Sequence, residues 1–398
     1  MNARRLLAFF AVLLPAFMYG VYRFSVGVLV PELEKVYSVG DPTAGAIVSG
    51  SVGLVGLGVI ASGYLAQRYG DLKVILAGLL LFSAAMAAVT VSSGIAAFSV
   101  LFLVASLGSG LVITPSYGVA AALFPTRKGF AASYVSAGYN VAGFVGPAAT
   151  SYLLAGYGWD SPFLMFCGVG FVIFLIVITM LGRGAAASTG RGFKSFASLL
   201  KIRVVRILSV GVFFADLGFL VYLSWAPKFL ALNFGSTVSD ATTLDSVFGI
   251  GLGLGALGTL AGGSLYDRIG GRRSIVVAGL LPAAALAGTY LAPSFVLVVI
   301  FVLLTGILGN IFWPLITAMC QENVSEQDRT AATSVVQTSG FVGAFIGPGL
   351  AGAIGGPVAP VLLLTSAAPY LALTFIGGAF YVDPERRAAP RTLSSGTG

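Results

Sequence analysis

The stretch that decides the fold occurs twice in this chain. Residues 63–73 read GYLAQRYGDLK, and residues 263–273 read GSLYDRIGGRR. A second matching pair follows downstream, with KGFAASYVSAGYNVAGFVGP at 128–147 and RTAATSVVQTSGFVGAFIGP at 329–348. Because both pairs are separated by nearly the same number of residues, the chain reads as two like halves in the same orientation, the parallel kind of internal repeat.

Each half consists of long apolar runs. The chain is 57% hydrophobic and only 9% charged, whereas a soluble domain is about a quarter charged. The runs approach the roughly 20 residues that a helix needs to cross a bilayer. We therefore predict an all-α membrane protein with two pseudo-symmetric six-helix bundles around a central cavity. The twelve predicted spans are 6–30, 42–66, 72–92, 94–123, 129–154, 161–181, 204–231, 243–266, 273–292, 294–319, 330–354 and 358–382.

The basic residues predict the orientation of these spans. With both termini in the cytoplasm, Lys35 and Lys228 fall outside and Arg23 inside the membrane, and the rest of the 22 Lys and Arg fall on the cytoplasmic side. The positive-inside rule favours this topology. The net charge of +8 is therefore a topology signal, and we expect no nucleic-acid partner, since the basic residues form no clustered face.

The repeat predicts three segments. They are an N-terminal six-helix bundle (1–182), a cytoplasmic linker (183–203), and a C-terminal six-helix bundle with a short cytoplasmic tail (204–398). We expect a multi-pass protein of the plasma membrane, in contact with lipid and monomeric.

The repeated loops resemble the signature loop of the major facilitator superfamily. The second-half loop matches it at Gly263, Leu265, Asp267, Arg268, Gly270, Arg272 and Arg273. The first-half loop matches at Gly63, Leu65, Arg68, Gly70 and Lys73, but Gln67 stands at the aspartate position. The resemblance covers nearly the whole chain and implies a secondary transporter in which these loops form a cytoplasmic gate. The missing charge at Gln67 predicts a weaker latch in the first half.

Two charged residues lie firmly inside predicted spans, Arg23 in the first and Asp216 in the seventh. When Pro31 is aligned with Pro227, Arg23 matches Phe219, and Asp216 lies one helical turn away on the same face. A charge at mid-bilayer costs about 2.5–3.5 kcal/mol even on the lenient scale, so such residues usually face a cavity and a partner. We expect both to line the central path.

Two interpretations of this pair remain open. Arg23 and Asp216 could form a salt bridge that only stabilises one state. Alternatively, Arg23 binds an anionic substrate, since arginine keeps its charge and forks onto carboxylate or phosphate, and Asp216 is the proton-coupling site. The stretch RFSVGVLVPEL, with Arg23, Pro31 and Leu33, also resembles the anion:cation symporter branch of the superfamily. It departs from that branch at Tyr22, where an acid is frequent.

Further substrate-binding candidates are polar or aromatic residues at helical spacing within the spans. Pro314 cannot donate to the carbonyl of Asn310, which predicts a kink there. The candidates besides Arg23 are Tyr19, Tyr117, Asn140, Asn310, Trp313 and Gln337.

The residue types exclude several other functions. The chain has no histidine, which removes His-ligated metals and Ser-His-Asp triads. Cys167 and Cys320 have no metal or redox spacing. We therefore predict no metal, no cofactor and no enzymatic activity. The predicted function is transport of a small organic anion such as a monocarboxylate, with proton co-transport. The alternative is a drug/proton antiporter-like exporter of hydrophobic or cationic compounds.

Overall fold

A computed structural model of the chain describes residues 3–123, 128–181, 196–236, 241–324 and 329–381. The first half contains six long helices. They are α1 (Ala3–Tyr37), α2 (Asp41–Tyr69), α3 (Asp71–Val89), α4 (Ile95–Leu123), α5 (Lys128–Tyr157) and α6 (Ser161–Leu181).

The second half repeats this arrangement. Its helices are α7 (Arg203–Phe234), α8 (Ala241–Ile269), α9 (Gly271–Leu291), α10 in two segments (Phe295–Gly309 and Phe312–Glu322), α11 (Arg329–Ala353) and α12 (Ala359–Leu362, a π-helical turn Leu363–Ala367, then Ala368–Phe380). The described part of the linker begins at residue 196 and contains one helical turn, Phe196–Leu199, whereas residues 182–195 lie outside the described residues. The described ranges contain helices and turns but no strand.

Ten of these helices are apolar and long enough to cross a membrane. The other two, α5 and α11, have 30 and 25 residues and occupy equivalent places in the two halves. Large apolar side chains are exposed on the outer surface, for example Val296 and Phe375, each with 69% of its surface accessible. Such a surface suits lipid contact.

The halves meet along two helix pairs and at one further helix crossing. Helix α2 packs against α11, and α5 packs against α8, while α1 and α7 cross at the centre. Contact between the two halves therefore involves mainly these six helices. Helices α3, α6, α9 and α12 pack within their own half.

The repeated loops adopt equivalent conformations. Gly70 has φ +91° between α2 and α3, and Gly270 has φ +76° between α8 and α9. Only glycine takes such a backbone conformation without strain. The pattern of the two loops is thus explained by geometry at these two positions.

The prolines of α1, α7 and α10 have different effects on helix continuity. Helix α1 continues through Pro31 to Tyr37, and α7 continues through Pro227 to Phe234. Each proline leaves one helical carbonyl without its usual donor but does not end the helix. Helix α10 breaks at Asn310, four residues before Pro314, where the sequence predicted a kink.

Candidate functional site

The two halves are closed against each other at one end of the molecule. This sealed end comprises the ends of α1, α7 and α11 and the start of α2. Lys228 of α7 forms ion pairs with Glu34 of α1 and Asp41 of α2, so one cation of the second half holds two carboxylates of the first. The backbone N–H of Gly349 in α11 also donates to Ser49 Oγ in α2 at 2.7 Å.

The halves diverge toward the opposite end. On the α11-facing side of α2, Gly53 and Gly56 lie against phenylalanine rings of α11, whereas a Cβ built on Gly63 would meet nothing within 4 Å. Ile60, on the same face, is 51% exposed. The face of α8 that contacts α5 also changes from packed to exposed along the helix. Gly249 packs on Pro147, whereas Leu260 is 72% exposed. The central path is therefore closed at the sealed end and open at the other.

Arg23 lies one helical turn from the point where α1 and α7 touch. At that point Gly27 packs directly on the carbonyl oxygen of Leu223, leaving no room for a side chain. Arg23 is 9% exposed and borders a small cavity that also contains Ser51 and Ser224. It thus occupies the closed end of the open path.

Aromatic side chains surround the guanidinium group. Arg23 interacts electrostatically with Tyr19, Tyr139 and Asp216. The rings of Tyr19 and Tyr139 are stacked with centroids 5.5 Å apart. Tyr117 extends this group, since it interacts with Tyr19 and its hydroxyl lies 3.1 Å from Ser136 Oγ. Asn140 Nδ2 in turn donates to the Ser136 carbonyl at 3.1 Å.

Asp216 is buried, with 7% of its surface exposed, and it belongs to the opposite half from Arg23. Its carboxylate sits against Gly340 of α11, where a Cβ would overlap Oδ2. Both residues are fully described, and no ion pair within 4.0 Å joins them. The two charges influence each other electrostatically in this state without direct contact.

The candidates of the second half lie on α10 and α11. Asn310 is buried at the break in α10, donates to the Gly306 carbonyl at 2.8 Å, and has Gly255 of α8 against its amide. Trp313 packs edge-on against Phe312 with ring centroids 6.2 Å apart. Gln337 is exposed, one turn before Gly340 on α11 and toward the open end. The structure therefore groups Arg23, Tyr19 and Tyr117, with Asn140 one helical turn from the Ser136 that Tyr117 contacts, and the other candidates belong to the second half.

The loop residues are at the open end, and their observed contacts stay within one half. Arg272 Nε donates to the Gly378 carbonyl of α12 at 2.6 Å. Arg68 lies over the Tyr69 ring, 5.4 Å from its centroid, and Arg268 is exposed. Positions 263 and 267 are described only as part of α8, so the side-chain contacts of Asp267 and the surroundings of Gly263 lie outside the described part.

Two contributors to the site were missed by reasoning from sequence. Tyr139 carries no signal beyond being one tyrosine of many, although it immediately precedes Asn140. Gly340 belongs to a repeated small-residue pattern that indicated only helix packing. The contact of each with a charged residue depends on how neighbouring helices are aligned.

Comparison with known proteins agrees with this architecture. The family model described as Major Facilitator Superfamily matches residues 12–207 and 208–396. A Haemophilus influenzae protein named as a metabolite transport protein is 29% identical over 240 residues, which cover 55% of this chain and 57% of that protein. The 4-hydroxybenzoate transporter PcaK of Acinetobacter baylyi is 24% identical over 166 residues, 42% of this chain and 36% of PcaK. The alignments thus span about a third to three fifths of these relatives.

Solved structures share the fold across nearly the whole chain. A bacterial homologue of the human lysosomal transporter Spinster, in an inward-facing conformation, has a TM-score of 0.75 at 17% identity and covers 96% of this chain and 97% of its own. The nucleoside transporter NupG has a TM-score of 0.79 at 14% identity, covering 95% and 100%. The predicted fold class and the resemblance seen in the signature loops are both confirmed. The chain belongs to the Major Facilitator Superfamily of membrane transporters.

Proposed function

We propose that the chain is a secondary active transporter, not an enzyme, that moves a small organic anion across the plasma membrane by alternating access. The observation that carries this proposal is Arg23, a buried cation at the closed end of a path that is open on one side. A permanent cation held there among tyrosines can bind an anion in fork geometry. The relatives named for metabolite and 4-hydroxybenzoate transport support an organic anion.

The positive-inside rule supports an orientation for the cycle. The loops at the open end carry the basic residues, which favour the cytoplasmic side. With both termini inside, the sealed end faces outward and the conformation is inward-facing. Alternating access then requires Lys228 to leave Glu34 and Asp41 while the signature loops close the cytoplasmic end.

Proton coupling is the second part of the proposal, with Asp216 as the proton carrier. A buried carboxylate without a cation in direct contact is costly in a low-dielectric interior, and a proton removes its charge. Asp216 and Arg23 belong to different halves, so the interaction between them changes when the halves move. A substrate anion on Arg23 would take the place of Asp216 as its counter-ion, which couples binding of the anion to binding of the proton.

Uptake by proteoliposomes tests the proposal. Labelled monocarboxylates are offered to the purified monomer in liposomes, with and without an inward proton gradient. We expect Arg23→Ala to lower kcat/KM by about 10- to 100-fold, the equivalent of one lost charged hydrogen bond. Arg23→Lys should recover only part of this, since lysine lacks the fork. We expect Asp216→Asn to transport without proton-driven accumulation.

Four results would contradict the proposal. Full carboxylate transport by Arg23→Ala would remove the anion site. Intact proton-driven accumulation by Asp216→Asn would remove the coupling site. Recovery of activity in the Arg23→Ala/Asp216→Asn double variant would show that the pair is structural. Transport of hydrophobic cations in place of carboxylates would favour an exporter.

A further inference from the structure

Lys228 is the cation of a group at the sealed end that contains two carboxylates. Its Nζ atom pairs with Glu34 of α1 and with Asp41 of α2, and the side chains of Lys228, Glu34 and Asp41 are 15%, 13% and 27% exposed. The ammonium group also lies over the Trp225 ring, 5.7 Å from its centroid. One lysine balances only one carboxylate, so the group carries one excess negative charge when all three side chains are ionised.

Glu34 has the atom at which this excess charge is least well satisfied. Its Oε1 atom is buried and receives no hydrogen bond from the described residues, while Oε2 pairs with Lys228. The carboxyl groups of Glu34 and Asp41 also interact with each other directly. Two carboxylates in contact disfavour each other's ionised form, and a buried acceptor without a donor is costly. One proton between the two carboxyl groups relieves both penalties, because a protonated carboxyl is itself a donor.

The other titratable side chains near Glu34 on α1 are engaged elsewhere. Glu32 pairs with Lys35 at 3.5 Å, and the Lys35 side chain is 78% exposed. The hydroxyl of Tyr37 lies 3.4 Å from Ser92 Oγ, in the segment between α3 and α4. Helix α1 therefore provides no second cation for the Glu34 carboxylate.

Closure of the sealed end places the group between the two halves. Glu34 and Asp41 belong to the first half and Lys228 to the second. Asp41 Oδ2 also lies against Gly356, in the segment between α11 and α12, and residues 354–358 of that segment carry no charge. Asp245, near the start of α8, is acidic and supplies no cation. Separation of the halves therefore takes the cation away and returns both carboxylates to water together.

We propose that Glu34 and Asp41 share one proton when the sealed end is closed, so that this end is a proton-binding site separate from Asp216. Closing takes up the proton, and opening releases it to the same side, so it is not carried across the membrane. The state that binds more protons is favoured as the pH falls. In the proposed orientation an acidic exterior therefore favours the inward-facing state. The inference goes beyond the proposed function and uses neither Arg23 nor the identity of the substrate.

Distance measurements on the purified protein in detergent test this site. Spin labels are attached at Val91 and Leu291, which are 82% and 63% exposed near equivalent ends of α3 and α9. The parent carries Cys167→Ser and Cys320→Ser, and also Asp216→Asn, which removes the other proposed proton site. Pulsed electron paramagnetic resonance gives the ratio of open to closed molecules at each pH. We expect this ratio to fall with pH by up to about tenfold per pH unit, the limit for one proton.

Neutral variants distinguish a shared proton from simple ion pairing. Glu34→Gln and Asp41→Asn each imitate a carboxyl group that keeps its proton, so both should stay closed over the whole pH range tested. If the carboxylates act only as partners of the lysine, each variant should instead open the sealed end, as Lys228→Gln does. Glu32→Gln is the matched control, because Glu32 pairs with the exposed Lys35 on the same helix. It should keep the parental pH response.

Three outcomes would overturn the site. A ratio of open to closed molecules that does not change with pH in the parent, or that rises as the pH falls, would exclude the shared proton. A pH response that persists in both Glu34→Gln and Asp41→Asn would assign the proton to another group. Opening of both variants to the extent seen in Lys228→Gln would leave only ion pairing. None of these measurements uses transport, so failure of Arg23-dependent uptake would overturn the proposed function alone.

Discussion

Gly27 of α1 lies against the carbonyl oxygen of Leu223 of α7, and each residue stands four positions before a proline. Pro227 removes the helical donor that the Leu223 carbonyl would otherwise have, so this oxygen is available to the Cα of Gly27. Pro31 and Pro227 are equivalent positions of the two halves. The crossing of α1 and α7 therefore joins equivalent positions of the repeat, Gly27 and Leu223. The path is closed here, one turn beyond Arg23.

Substitution of Gly27 tests this closure. A methyl group in Gly27→Ala would overlap the Leu223 carbonyl, and overpacking of this kind costs about 1–3 kcal/mol. We expect the sealed end to open more often, so that a cysteine placed at Val26 reacts about tenfold faster with a membrane-impermeant maleimide from outside. Cys167 and Cys320 are replaced by serine in this background.

Gly156→Ala is the matched control for Gly27→Ala. Gly156 lies in α5, near its end at the same side of the molecule, and a Cβ there would meet nothing within 4 Å. Its labelling rate should equal that of the parent. Equal rates for Gly27→Ala and the parent would show that the crossing does not close the path.

Lys228 provides a second test of the sealed end. In Lys228→Gln the carboxylates of Glu34 and Asp41 lose their shared cation. Losing charged hydrogen bonds of this kind costs about 1.5–3 kcal/mol each. We expect faster external labelling at Val26 and slower transport, because the closed sealed end is destabilised and, in the proposed orientation, this end faces outward.

Lys35→Gln is the control for Lys228→Gln. Lys35 pairs with Glu32 at 3.5 Å on the same side of the molecule, but its side chain is 78% exposed and the pair stays within α1. An exposed pair of this kind contributes about 0–1 kcal/mol. If both lysine variants label at the parental rate, the ion pairs do not hold the halves together.

Gly340 tests how Asp216 is positioned. Gly340→Ala would displace the carboxylate from its seat on α11, so we expect a loss of proton-driven accumulation that approaches that of Asp216→Asn. The Gly340→Ala/Asp216→Asn double variant should be no worse than Asp216→Asn alone, because both changes act on one group. Ser339→Ala is the control beside Gly340 on α11. Ser339 Oγ donates to the Val335 carbonyl of its own helix, so this variant should accumulate substrate normally. Additive losses in the double variant would contradict this role.

Gly70 and Gly63 predict opposite effects on stability within one signature loop. Gly70→Ala forces a residue with a side chain into φ +91°, ψ 146°, a conformation that costs about 1–3 kcal/mol. Gly63→Ala adds a methyl group to open space and should leave stability unchanged or raised. Thermal unfolding of the purified protein in detergent measures both. Equal melting temperatures for the two variants would contradict the assignment of strain to Gly70.

The fold could be predicted from sequence because its signals are periodic and redundant. The repeat that contains Gly70 and Gly270, the apolar runs and the basic loops each point to two bundles of six helices. Arg23 and Asp216 were found for a related reason, since a charge within an apolar run stands out. The prediction erred where it stopped α1 near Pro31, because a proline within a packed transmembrane helix need not end it.

The contacts of the site could not be predicted in the same way. That Asp216 rests on Gly340, or that Tyr139 reaches Arg23, depends on the rotation and height of one helix relative to another. A single sequence records which face of a helix is polar, but not which residue of a neighbouring helix meets it. The shared four-residue spacing of Gly27 to Pro31 and Leu223 to Pro227 is one signal that could have indicated the crossing point.

The separation of Arg23 and Asp216 into different halves also determines how the proposed cycle responds to voltage. The empty carrier holds one positive and one negative group in its path, and a monovalent carboxylate that enters with one proton leaves that sum unchanged. A movement without net charge does no work against the membrane potential, which acts only on charge. The proposed symport is therefore electroneutral, and a depolarised cell that retains its pH gradient would continue to accumulate the substrate.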